Sequence, residues 1–161
     1  MIYNAIFNAQ KQGKKLLSVL LDPDKQSTDN LKYVIRLCNK AEVDFFLIGG
    51  SLVTTSAEPL IRELKKETDI PVVLFPGSVL QVSNRADGIL LLSLISGRNP
   101  ELLIGDLVKA APFLKCSNLE IIPTGYILID GGKQTSVEYM SNTRPIPADK
   151  YDIAVATALA G

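Results

Sequence analysis

Apolar residues recur along this chain in two textures, short near-continuous runs and stripes spaced three or four apart, and the two alternate from end to end. The runs at 16–21 (LLSVLL), 45–48 (FFLI), 71–75 (PVVLF), 89–92 (ILLL) and 119–123 (LEIIP) lack sustained polar alternation. Strands covered on both faces in a parallel sheet read this way. The stripes predict helices. Ile2, Ile6 and Phe7 mark an entry helix over 1–12 that ends at Gly13. Leu31, Val34, Ile35 and Cys38 follow Ser27 as N-cap, and Leu60, Ile61 and Leu64 follow Thr55 and Glu58, which have capping-box spacing. Asn99 and Pro100 open a helix with Leu103, Leu107 and Ala111 inward, and 152–160 begins another. Residues 78–85 are too few for a full crossover helix. The polar stretch 124–147 is too long for an ordinary connection and predicts a lid or disordered loop, mobile without substrate.

Strand and helix alternate five times, which predicts an α/β fold with a parallel sheet and right-handed crossovers. Two architectures fit. The length suits a five-stranded flavodoxin-like doubly wound sheet. The repeated loop chemistry at strand ends suits the first five strand-helix units of a TIM (β/α)8 barrel, which takes about 250 residues in full. A receiver domain of the first type wants an aspartate after the third strand, where this chain has Phe75-Pro76. On the barrel reading, residues 1–161 are the N-terminal part of one domain, and Leu17, Val19, Phe46, Ile48, Val73, Leu90 and Ile122 form its apolar interior.

With 47% hydrophobic residues the chain can bury a sizeable core, and 17 basic against 17 acidic residues leave no field to attract nucleic acid. There is no histidine, which removes Ser-His and Cys-His catalysis and every His-ligated metal. Any metal sits among oxygens. Cys38 and Cys116 fall in predicted helices and read as buried thiols of a reducing compartment. No run is long enough to span a bilayer and the N-terminus lacks a signal-peptide core, so a cytoplasmic location is expected.

The candidate chemistry gathers at 21–25, LDPDK, where the first strand stops at a proline and presents its acids at the exit. In α/β proteins ligands bind at that end. Asp22, Asp24 and Ser51 share a rim if the first two strands are neighbours, and such oxygens suit Mg²⁺ completed by substrate phosphates. An Asp-Pro turn with Ser51 as a loop residue accounts for the same spacing. Lys25 is placed to meet a phosphate, or stands solvated. Gly49-Gly50 lets a backbone approach a ligand closely.

Taken together, Leu21-Asp22-Pro23-Asp24-Lys25, Ile48-Gly49-Gly50-Ser51, Phe75-Pro76-Gly77-Ser78, Leu94-Ile95-Ser96-Gly97-Arg98-Asn99-Pro100 and Pro123-Thr124-Gly125-Tyr126 resemble the geranylgeranylglyceryl phosphate synthase family. Ser141-Asn142-Thr143 and the closing residues 154–161 look most like its bacterial branch. The resemblance implies a barrel prenyltransferase of ether-lipid biosynthesis. It joins a polyprenyl (geranylgeranyl-type) diphosphate to the C3 hydroxyl of sn-glycerol 1-phosphate and releases diphosphate. It implies Mg²⁺ held at Asp22 and Ser51, Lys25 and Tyr126 as substrate-binding residues, and a homo-oligomer when complete. The family's glycerol-phosphate residues match nothing before Gly161, so the resemblance also implies that the chain as written, about 90 residues short of a typical barrel, does not turn over alone. The alternatives are a phosphate-binding isomerase or aldolase on the same barrel and a non-catalytic barrel fragment. For the former, Glu120 is the one acid in a predicted strand, and it lies at the wrong end.

Overall fold

The computed structural model describes residues 1–78 and 81–161, the side chains of Thr28 and Asp29 excepted. Five strands form one sheet in the order β1 (Ser18–Leu21), β2 (Phe45–Ile48), β3 (Val72–Leu74), β4 (Gly88–Ser93) and β5 (Glu120–Gly125), with β1 to β4 paired parallel in succession. That sequential order decides between the two architectures, because a flavodoxin-like sheet runs 2-1-3-4-5. The winding is that of a barrel. The chain falls into two compact units, Met1–Leu90 with Ser117–Ile122, and Leu91–Cys116 with Pro123–Gly161.

In the first unit α1 (Ile2–Lys11) ends as its sequence predicts, with Gly13 in the left-handed region. Helices α2 (Thr28–Lys40) and α3 (Glu58–Glu67) return the chain between strands and bury Leu31, Ile35 and Cys38, and Leu60, Ile61 and Leu64. Each fully buried side chain of this size stabilises by about 1.5–3 kcal/mol. The register aligns Val19 with Phe46, Phe46 with Val72 and Ile48 with Leu74. Phe46, Ile48, Val72, Leu74 and Ile89 therefore share one face and are all less than 2% exposed. Phe45, Leu47, Val73, Leu90 and Ile122 share the other, where Ile2 and Ile6 of α1 pack on them. The predicted interior set thus mixed two faces. Val19, Phe46 and Ile48 point away from Val73, Leu90 and Ile122, since a one-residue phase error turns every side chain to the opposite side. Leu17, ahead of β1, is exposed.

Acidic side chains tie down the starts of these strands. Asp44 accepts from Leu17 N at 2.8 Å, Asp87 from Val72 N at 2.8 Å, and Glu120 from Ile2 N and, at 2.9 Å, from Tyr3 N. Glu120 is thereby the cap of α1, satisfying amides that the helix leaves without partners. Lys65 pairs with Asp87, and Lys14 with Asp44.

The capping box expected at Thr55 and Glu58 does not form. Asp24 takes the Thr55 N–H, and the Glu58 carboxylate bonds Ser83 and Arg85, which hold it below the usual carboxylate range, the Ser83 hydroxyl foremost. α3 starts at Glu58 itself, behind Ala57. No described residue of 78–85 lies in an α-helix, and Val79 and Leu80 are outside the described residues.

In the second unit Asn99 accepts from Glu101 N at 3.1 Å, as its predicted capping role requires. The helix then opens as a π-helical turn, Glu101–Gly105, before α4 (Asp106–Lys115). Its buried residues are Ala110 and Leu114, with Leu103 and Leu107 half-buried and Ala111 exposed. At 3.6 residues per turn 107, 110 and 114 fall within about 60° of one another, and 111 lies outside that arc, on the far side of 107. Cys116, just past α4, is exposed rather than buried.

The stretch read as a lid carries structure of its own. Ile129 bridges Ile146 in parallel, and α5 (Ser136–Ser141) is capped by the Thr135 hydroxyl, which accepts from Glu138 N at 3.2 Å. Leu128, Ser141, Thr143 and Ile146 are buried. Ser96 Oγ accepts from Leu128 N at 2.9 Å, and Asn99 donates to Ser141 O at 3.1 Å. Helix α6 (Tyr151–Ala160) closes the unit. Among the described residues no helix is long and apolar enough to cross a membrane.

Replacing Glu120 by alanine removes the α1 cap and is expected to destabilise the chain by about 1 kcal/mol, the usual cost of an N-cap. Glu120→Gln, which keeps an acceptor, is expected to cost less. Denaturant midpoints test this, and an unchanged midpoint for Glu120→Ala contradicts the capping role.

Candidate active site

Opposite the acid-tied strand starts, the ends of β1, β2 and β3 bring their following loops together. β1 stops at Asp22, extended at φ −88° and ψ 119°, and Pro23 opens a single 3-10 turn, Pro23–Lys25. The proline cannot extend the strand, and its fixed φ starts the turn instead. Asp22 Oδ1 accepts from Asp24 N at 3.1 Å, and Oδ2 pairs with Lys25 Nζ at 2.9 Å. The Asp22 side chain is 18% exposed and that of Lys25 77% exposed. The carboxylate is held while the ammonium stands in solvent, and the bond to Asp22 raises the Lys25 pKa above its ordinary value.

Asp24 turns the other way. Its Oδ2 accepts from Thr54 N at 2.9 Å and Thr54 Oγ1 at 3.1 Å, and its Oδ1 from Thr55 N at 2.8 Å. The Thr54 amide foremost, then the groups of Thr55, hold its carboxyl down to about 2. Asp24 is a clamp between the turn after β1 and the loop after β2.

That loop passes under Asp22. A Cβ on Gly50 would lie 3.2 Å from Asp22 Oδ2, so the bare backbone runs against the carboxylate, with Ser51 next in line and half-buried. A Cβ on Gly49 would lie 1.9 Å from Phe75 O, and one on Gly77 would lie 2.3 Å from Gly50 O. Glycine is required at both by close approach of backbone to backbone. Gln81 spans the gap, donating from Nε2 to Gly50 O and accepting at Oε1 from Gly77 N, each at 3.1 Å.

The structure thus brings Asp22, Lys25 and the Gly50-Ser51 backbone together. Tyr126 belongs to the second unit, where it follows β5 half-buried and its amide donates to Ser93 O at 2.7 Å. Sequence reading missed the clamping role of Asp24, for which the preceding proline and the polar pair Thr54-Thr55 were the available signal. It missed Gln81 altogether. Glu120, the acid weighed for an isomerase or aldolase, is spent on the backbone of α1.

The donor set suits a hard cation shared with a ligand. Among the described residues no three acids, cysteines or histidines stand close enough to cage a metal by themselves. One or two carboxylates are what Mg²⁺ uses when substrate phosphate oxygens and water fill the rest of its shell, and Asp22 offers one.

A parallel sheet wound in sequence, with acids, glycines and hydroxyls on the rim where its strands end, defines the first five units of a TIM-type (β/α)8 barrel. The model of the PcrB family matches residues 10–161, and the chain belongs to that family. It is 53% identical over 161 residues to a geranylgeranylglyceryl phosphate synthase of Chitinophaga pinensis, covering 99% of this chain and 64% of the relative. With the enzyme of that name from Methanosphaera stadtmanae it shares 39% identity over 95% of this chain and 63% of the relative. The crystal structure of (S)-3-O-geranylgeranylglyceryl phosphate synthase from Thermoplasma acidophilum in complex with substrate sn-glycerol-1-phosphate superposes with a TM-score of 0.84 at 31% identity. That match covers 94% of this chain and 62% of the other. The chain therefore spans somewhat under two thirds of the proteins it matches here.

Because folding depresses the Asp24 pKa from 3.8 to about 2, the clamp stabilises above pH 4 and is lost as pH falls through 2. Asp24→Asn is accordingly expected to lower the denaturant midpoint at pH 7, with the gap to wild type closing as pH approaches 2. A gap independent of pH contradicts the assignment.

Proposed function

We propose that this chain supplies the diphosphate-binding part of a prenyltransferase that joins a polyprenyl diphosphate to the C3 hydroxyl of sn-glycerol 1-phosphate in the cytoplasm, releasing diphosphate. The observation that carries the reading is the Asp22 carboxylate lodged against Gly50, which Ser51 follows, at the strand ends, in a chain whose relatives bear the name of that synthase.

In the reaction the allylic carbon–oxygen bond breaks with its electron pair leaving on diphosphate, and a bond forms from that carbon to the glycerol oxygen, which gives up its proton. No covalent enzyme intermediate is needed. The demand on the protein is to hold a multiply charged leaving group still and to stabilise charge as it gathers there. Asp22 and the Ser51 hydroxyl would hold Mg²⁺, which neutralises the departing oxygens when bound. Lys25 is long and solvated, so when a diphosphate arrives it swings from Asp22 to the anion. Gly50 brings main chain to the carboxylate with no side chain between. Tyr126 is proposed as a wall of the substrate groove.

In the protein as the cell makes it, Asp22→Ala is expected to cut Mg²⁺-dependent prenyl transfer about a hundredfold or more, the scale at which loss of one preorganised electrostatic group is felt. The fold is expected to survive, since the residue lies on the rim. Ser51→Ala is expected to cost about tenfold, the worth of one replaceable hydrogen-bonding group. Near-normal turnover by Asp22→Ala contradicts the reading, and greater damage from Ser51→Ala reverses the two roles.

A further inference from the structure

We infer that Gln81 is a positioning residue for this site, fixing where Gly50 and Ser51 stand beside Asp22 by tying the loop after β2 to the loop after β3. The inference rests on the reading of Asp22 given above. A carbonyl only accepts and an N–H only donates, so Gly50 O and Gly77 N settle the orientation of the Gln81 carboxamide: Nε2 to the former and Oε1 to the latter. One half-buried side chain thus satisfies a donor and an acceptor on two loops.

The effect reaches Asp22 through Gly50. The carbonyl of Gly50 is held from one side by Gln81, while its α-carbon faces Asp22 Oδ2 on the other. Gly77 packs backbone to backbone on Gly50, since a Cβ on it would lie 2.3 Å from Gly50 O. Without the carboxamide, Gly50 O and Gly77 N lose their shared partner and turn toward water, and the Gly50-Ser51 backbone drifts from the carboxylate. A site that works by position loses much from such a shift, because catalytic geometry tolerates only a fraction of an ångström.

Gln81→Met keeps the length and bulk of the side chain and removes both hydrogen bonds. Gly77 amide exchange is expected to quicken about tenfold or more, with exchange in β1 and the global denaturation midpoint unchanged. In the protein as the cell makes it, the Mg²⁺ concentration for half-maximal activity and the KM for polyprenyl diphosphate are expected to rise about tenfold or more, the usual cost of losing a group that orients a ligand. The KM for sn-glycerol 1-phosphate is expected to stay. Gln81→Glu keeps the acceptor, so slow Gly77 exchange should persist in it, and fast exchange in both variants overturns the Oε1 assignment. Wild-type Gly77 exchange or wild-type donor KM in Gln81→Met overturns the inference, as does a parallel rise of both KM values with a lowered midpoint. If Asp22→Ala retains Mg²⁺-dependent turnover, the reading of Asp22 falls whatever Gln81 does. If Asp22→Ala is inactive while Gln81→Met behaves as wild type, only the Gln81 inference falls.

Discussion

Parallel pairing in a single register is the constraint on which the site depends. Because Leu21 stands opposite Ile48, and Ile48 opposite Leu74, the first three strands end level and their loops emerge side by side. A slip of one residue would turn Phe46, Ile48, Val72 and Leu74 out of the most buried face, so the apolar core enforces the register. The position of Asp22 beside Gly50 is thus a consequence of core packing, although neither residue belongs to the core.

Acidic side chains do opposite work at the two ends of the strands. At the starts, Asp44, Asp87 and Glu120 are consumed by backbone amides and serve stability. At the ends, Asp24 is consumed in the same way, while Asp22 Oδ2 meets the exposed Lys25 ammonium and lies against Gly50. Three of these acids read alike in the sequence as residues flanking strands. Asp22 gives Oδ1 to the Asp24 amide and Oδ2 to Lys25, and that difference from Asp24 is a property of three-dimensional neighbours.

Much of the fold was legible because burial on both faces leaves unbroken apolar runs, which located all five strands within a few residues. The same runs concealed which side chains share a face, since a strand apolar on both sides carries no alternation to read, and Phe46 and Ile48 were grouped with Val73, Leu90 and Ile122 of the opposite face. Local capping signals were similarly ambiguous. The Thr-x-x-Glu spacing recurs at Thr55-Glu58 and Thr135-Glu138, and only the second is capped by its threonine. At the first, Asp24 reaches across about thirty residues of chain to take the amide, a long-range contact that no local pattern announces. Asp22, Lys25 and Ser51 were visible as polar residues at strand exits, whereas Gln81 lay in a segment with no periodic signal at all.

The most direct test of the central claim is to titrate the isotopically labelled protein with Mn²⁺ in the presence of inorganic diphosphate and to follow paramagnetic broadening of backbone amides. The account predicts broadening concentrated at Asp22, Gly50 and Ser51. Broadening centred instead on Asp44, Asp87 and Glu120, with the Asp22 amide sharp, would place the anion and its cation at the other ends of the strands and contradict it.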